Sequence, residues 1–157
     1  WGSLTRPQVG EFEVAIRGLA KAAELNGVPG PAHLLEMRDQ IGLTGEQVAA
    51  IQAIFEDMRS KAIAEGERLI EREQALEDLF RSGTVTDATL RQHLQQIEDS
   101  RRELRYIHLA AHLTTPPLLN DAQLMRYRAL RGYGDDPCAK VPSGHDPAMW
   151  RQHNGCR

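Results

Sequence analysis

From residue 45 to residue 80 there is no proline, and the only interior glycine is Gly66. Apolar side chains recur at Val48, Ile51, Phe55, Met58, Ala62, Leu69, Leu76 and Leu79 or Phe80, in steps that mostly alternate three and four. That spacing puts them on one face of a long helix. "RSGTVTD" (81–87) interrupts the pattern, with Gly83 as C-cap and Thr86 as the next N-cap. A second stripe follows over 87–114: Leu90, Leu94, Ile97, Arg101, Leu104, His108 and Ala111, ended by Pro116 and Pro117. Two long helices joined by a short turn pack antiparallel. The expected fold is therefore all-α, a long helical hairpin with short flanking helices.

The flanks agree with this reading. "EFEVAIRGLAKAAELNG" (11–27) reads as a short helix stopped at Asn26-Gly27. Pro31 can open a helix running to Gly42. Residues 121 to about 131 form a last helix, ended by Gly132, and the tail from 133 is loop-rich. The expected division is a hairpin domain over 1–134 and a tail over 135–157.

Folding about Gly83 pairs residues whose numbers sum to roughly 166. Leu104 then faces Ala62, Ile97 faces Leu69 and His108 faces Met58. Arg101 falls opposite Glu65, which predicts an ion pair that fixes register.

Two helix starts are written in the same way. Thr44 can cap the helix that follows it, and Gln47 can reach back to the Thr44 amide, making a capping box. Leu43 and Val48 form the accompanying hydrophobic staple. "LNDAQL" (119–124) repeats the device, with Asn120 as cap, Gln123 reaching back, and Leu119 facing Leu124.

Composition excludes several functions. Net charge is −3 with both signs interspersed, so no basic surface marks a nucleic-acid binder. No apolar run approaches the ~20 residues that span a bilayer, so no membrane insertion is expected. Residue 1 is Trp rather than Met, and the lack of an export signal ahead of it carries no information. Serines are few, acids are spread around helix faces, and there is no phosphate-binding glycine loop. The chain is not expected to be an enzyme, and no catalytic residue is assigned.

Leu43-Thr44-Gly45-Glu46-Gln47 is a full LTxxQ, and Leu119-Asn120-Asp121-Ala122-Gln123 is a degenerate second copy. With the hairpin between them, roughly residues 31 to 133, the chain resembles the bacterial LTxxQ-motif family of small helical periplasmic proteins. That family includes the Spy- and CpxP-type chaperones and the ZraP- and CnrX-type metal-responsive proteins. "AELNGVPGPAHLLEM" is similar to an alphaproteobacterial branch described as chaperones or metal sensors. The resemblance implies a periplasmic location and often a dimer of curved helical hairpins. It leaves two functions in view: a metal-binding or metal-sensing stress protein, and a metal-independent chaperone that holds unfolded clients. A membrane-bound signalling partner is a further option. A homodimer is expected, because a lone hairpin has too few layers to bury its seam.

The candidate ligands follow from spacing. His108 and His112 lie four apart and can share one transition metal, or be a half-buried and a solvent-facing side chain. His33 and Met37 repeat that spacing on the short helix before the first capping box. Paired His or His/Met residues near the hairpin's open end resemble the family's metal sensors, with the pairs here in a different order. If His33, Met37 and Met58 converge on His108 and His112, the set suits copper, zinc, nickel or cobalt. For Met37 and Met58 the favoured reading is core filling, and for Glu36 it is an exposed helix residue rather than an oxygen ligand. The tail carries Cys138, His145, His153 and Cys156, either a Cys₂His₂ zinc site or a Cys138–Cys156 disulfide. An oxidising periplasm favours the disulfide. Met149 and Trp150 are then expected to pin the tail to the hairpin.

Overall fold

The computed structural model describes residues 18–133, 141, 144–153 and 156. Among these the chain is helical and contains no strand. Among the described residues seven α-helices follow in order: α1 (Lys21–Glu24), α2 (Pro31–Glu36), α3 (Arg38–Ile41), α4 (Gly45–Ser82), α5 (Asp87–Thr114), α6 (Asp121–Leu130) and α7 (Pro147–His153). A 3₁₀ turn, Pro116–Leu118, joins α5 to α6. No helix of the described residues is long and apolar enough to cross a membrane.

The two long helices begin and end where local chemistry puts them. Gly83 adopts φ 69°, a left-handed conformation that closes α4 and that glycine enters without steric cost. Thr86 then opens α5. Its hydroxyl accepts from the Thr89 amide at 3.2 Å, and Thr89 Oγ1 accepts from the Thr86 amide at 2.9 Å, a capping box with threonine in the glutamine role. Pro116 and Pro117 follow the end of α5 after a single residue, Thr115.

Contacts divide the chain into two compact units. One contains residues 57–109, with the described residues 18 and 19; the other contains residues 20–56 and the described residues from 110 on. In the first, Leu69, Ile97 and Leu104 are buried together, with Leu19 and Leu76 packed against them. α4 and α5 meet through this cluster, and Leu69 and Ile97, expected opposite one another, share it. In the second, Leu34, Ile41, Ile51 and Tyr127 form the core, flanked by Leu35, Met37, Leu43, Leu118 and Leu119.

The polar detail of the helix pair differs from the expected register. Arg101 does not meet Glu65. Its Nη2 lies 2.7 Å from Glu73 Oε1, and its Nε lies 3.5 Å from Glu98. Glu65 is buried and is held by Arg68 on its own helix at 2.7 Å. Long helical side chains lean toward their own N-terminus. On α5 that direction is toward Gly83, so Arg101 reaches a residue of α4 nearer the turn. The stripe on α5 also falls one position earlier than expected at two places. Ser100 and Ile107 are buried, whereas Arg101 is exposed and His108 is half-buried. Ser100 Oγ accepts from Arg72 Nη1 at 2.8 Å, and the same nitrogen donates to the Gln96 carbonyl. Leu94 and Phe80, expected on the seam, are exposed.

Two flanking elements also differ. The helix expected from Pro31 to Gly42 is two short ones, separated at Met37, whose backbone (φ −101°, ψ 11°) leaves the helical region. Within the loop-rich tail, α7 forms a helix, with Asp146 Oδ1 accepting from the Met149 amide at 2.9 Å. Asp146-Pro147 is a helix-start signal in its own right. Met149 is exposed, and the Trp150 ring meets His145 edge-on at 4.9 Å. Cys156 is disulfide-bonded, while Cys138, its expected partner, lies outside the described residues.

Candidate functional site

The repeated helix-start motif forms a single junction. At α4, the Thr44 amide donates to Gln47 Oε1 at 2.9 Å and the Gln47 amide donates to Thr44 Oγ1 at 3.1 Å. At α6, the Asn120 amide donates to Gln123 Oε1 at 3.1 Å and the Gln123 amide donates to Asn120 Oδ1 at 2.8 Å. Both expected capping boxes are present, and asparagine serves where threonine stands in the first. The two glutamines then bond to each other. Gln47 Nε2 donates to Gln123 Oε1 at 2.8 Å, and Gln123 Nε2 donates to Gln47 Oε1 at 2.9 Å. Their remaining donor capacity goes to the backbone: Gln47 Nε2 to the Leu118 carbonyl at 2.8 Å, Gln123 Nε2 to the Gly42 carbonyl at 3.1 Å. A primary amide has two donors and an acceptor oxygen with two lone pairs. Each glutamine uses both sides, once for its own helix and once for the other.

The candidate metal ligands are each engaged separately. His112 is 6% exposed, and its Nδ1 lies 2.8 Å from the Val28 carbonyl. A carbonyl only accepts, so Nδ1 carries the proton and Nε2 holds the lone pair. That lone pair does not face open space. A Cβ placed on Gly30 would lie 2.5 Å from His112 Nε2, so the imidazole packs edge-on against the glycine. His112 is therefore a buried strut for the 28–31 loop rather than a solvent-facing side chain, and its coordinating nitrogen does not fit a metal ion.

His108 is half-buried, with Nδ1 2.8 Å from the Leu104 carbonyl one turn back. The same logic gives it an Nδ1 proton and an Nε2 lone pair. His33 turns toward Glu24, Nδ1 to Oε1 at 3.5 Å. Met37 packs against the core around Leu34 and Tyr127, and Met58 is half-buried on α4. Glu36 is exposed. Among the described residues no group of three or more His, Cys, Asp or Glu side chains is placed to hold a metal ion. In the tail, His145 is taken up by the Trp150 ring and His153 Nδ1 lies 3.1 Å from the Met149 carbonyl.

Sequence reasoning passes over Tyr127. It is fully buried, and its hydroxyl is set against the Arg131 side chain. Burial pushes its phenol above the ordinary value, with Arg131 opposing and Glu24 and Tyr133 adding to the rise. Large apolar side chains also stand exposed on the long helices. Phe80 is 54% exposed and Tyr106 62% exposed, and Ile63 and Leu94 are exposed as well. Ion pairs within the same helix fall within a few residues of each in sequence: Asp57–Lys61 before Ile63, Glu77–Arg81 around Phe80, Asp87–Arg91 before Leu94 and Asp99–Arg102 before Tyr106. Comparisons of the chain with family models, curated proteins and solved structures return no match.

Proposed function

We propose that this protein is a metal-independent periplasmic chaperone of the LTxxQ type, which holds unfolded polypeptides on its long helical hairpin. The observation that carries this is the surface of the unit built on residues 57–109. Ile63, Phe80, Leu94 and Tyr106 are exposed there among self-contained ion pairs. Scattered apolar contacts separated by charge suit weak binding to many chains, since no single deep pocket demands one side chain. A disulfide-bonded Cys156 supports an oxidising compartment. A homodimer is the expected assembly, to be read from sedimentation.

The test uses chelator-treated protein and a chemically unfolded client whose aggregation is followed by light scattering. Suppression by the wild type is expected, and the triple variant Phe80→Ser/Leu94→Ser/Tyr106→Ser should lose most of it while keeping its helical circular dichroism. A wild type that leaves aggregation unchanged, or a triple variant as active as wild type, would refute client binding on this surface.

Metal sensing is a second reading, favoured by one observation: His108 has its proton fixed by the Leu104 carbonyl, which leaves Nε2 as a ligand. Under this reading a calorimetric titration with copper, zinc, nickel or cobalt shows binding that His108→Ala removes. Heats unchanged by His108→Ala would remove metal sensing at this residue.

A further inference from the structure

Glu73 and Arg101 strap α4 to α5 at 2.7 Å. Phe80 lies seven residues after Glu73, and Leu94 seven residues before Arg101, both toward the Gly83 turn. Seven residues make about two helical turns, so each apolar residue returns to the face that its ion-paired neighbour occupies. The helices run antiparallel, which sets Phe80 and Leu94 in the register of that ion pair, across the same groove. Both are exposed. Leu76 and Leu90, one turn before each, are half-buried, and Leu76 packs on the core of this unit. The exposed pair thus ends an apolar line that starts inside the hairpin. Charge around it has one sign in excess. Residues 73 to 101 carry six carboxylates against three arginines, a net of −3, which is the net charge of the whole chain. The arginines do not cancel the excess, because Arg81 is shared by Glu77 and Asp78, and Arg101 by Glu73 and Glu98. Glu77 stands three residues from Phe80 and Glu98 four from Leu94, so each neighbours an apolar side chain on its own helix.

We propose that, within the client-holding role on which this rests, Phe80 and Leu94 are the docking surface for cationic amphipathic segments, stretches of unfolded chain in which apolar residues alternate with lysine or arginine. The apolar pair takes the segment's apolar side chains. The surplus carboxylates around it meet the ammonium or guanidinium groups, whose long stems lie along apolar surface while their heads stay in water. Ion pairs at such an exposed rim are individually weak, so the segment is held without being trapped. The excess negative charge also draws basic segments toward the turn and turns acidic ones away before contact.

The test is fluorescence anisotropy of two labelled, unstructured peptides titrated with the full chain. They share the same apolar residues and differ in the residues between them, lysine in one and glutamate in the other. The lysine peptide should bind more tightly by about fivefold or more at low ionic strength, and added salt should narrow the gap. Phe80→Ser/Leu94→Ser changes exposed positions, should keep its helical circular dichroism, and should lose most of the lysine-peptide affinity. Glu77→Gln/Glu98→Gln keeps the apolar pair and should reduce the preference for lysine. Two results overturn the docking surface while leaving client holding intact. One is glutamate-peptide binding as tight as that of the lysine peptide. The other is a lysine preference undiminished in Phe80→Ser/Leu94→Ser. Binding of neither peptide to the wild type removes client holding itself, and this surface with it.

Discussion

Replacing Gln123 by leucine should cost far more than its place at a helix start suggests. Its side-chain amide takes part in four hydrogen bonds, to the Asn120 amide, to the Gly42 carbonyl and, twice, to Gln47. At about 1 kcal/mol net each, with the exposed Asn120 amide recovering a water, the loss comes to about 2–3 kcal/mol. Gln47→Leu removes a similar set and should cost about as much. The two variants share two of these bonds. The double variant should therefore be less destabilised than the sum of the singles, by about 1–2 kcal/mol. Urea unfolding of the wild type, both singles and the double measures all four corners of the cycle. Additivity to within about 0.3–0.5 kcal/mol would show that the glutamines act only as separate caps.

The other outcomes rest on different contacts. Gly30→Ala should destabilise by about 1–3 kcal/mol, because the new methyl displaces the His112 ring. In a His112→Ala background the same change should be nearly neutral, and thermal unfolding of the three variants reads this directly. Arg101 and Glu73 should couple by less than about 1 kcal/mol in a double-mutant cycle, as an exposed pair does, and Arg101 should not couple to Glu65. Tyr127 has a folded-state pKa above its unfolded value of 10.0. The unfolded chain therefore loses this proton first as pH rises. The stabilising contribution is complete below about pH 10 and is lost as pH climbs toward the folded pKa. Tyr127→Phe should flatten that alkaline limb in denaturation curves recorded against pH.

What the sequence reveals follows the range of each interaction. The two capping boxes are legible because a cap is satisfied by atoms three residues away. Gly83 and the prolines after α5 are legible because they act on the backbone itself. The glutamine pair is not legible in the same way, since its members are 76 residues apart and each already has a sufficient local role. The spacing of His108 and His112 shows a common helix face but not the Val28 carbonyl and Gly30 that occupy His112. Arg101 is misplaced by a count that treats side chains as perpendicular to the helix, whereas a long guanidinium leans by a turn or more. The stripe itself is ambiguous where Ser100 competes with Arg101. A small polar residue that accepts from Arg72 can be buried more cheaply than a charge. Tyr127 sits in plain view on α6, but nothing near it in sequence says that its ring is wholly buried.

Helix ends ordinarily fray first, one terminus at a time, because only a few backbone bonds hold them. The crossed amides of Gln47 and Gln123 remove that independence. For the first turn of α4 to unwind, Gln47 must release the N-terminal turn of α6 along with its own, and the reverse holds for Gln123. Two stretches of chain distant in sequence thus open as one event or stay shut together.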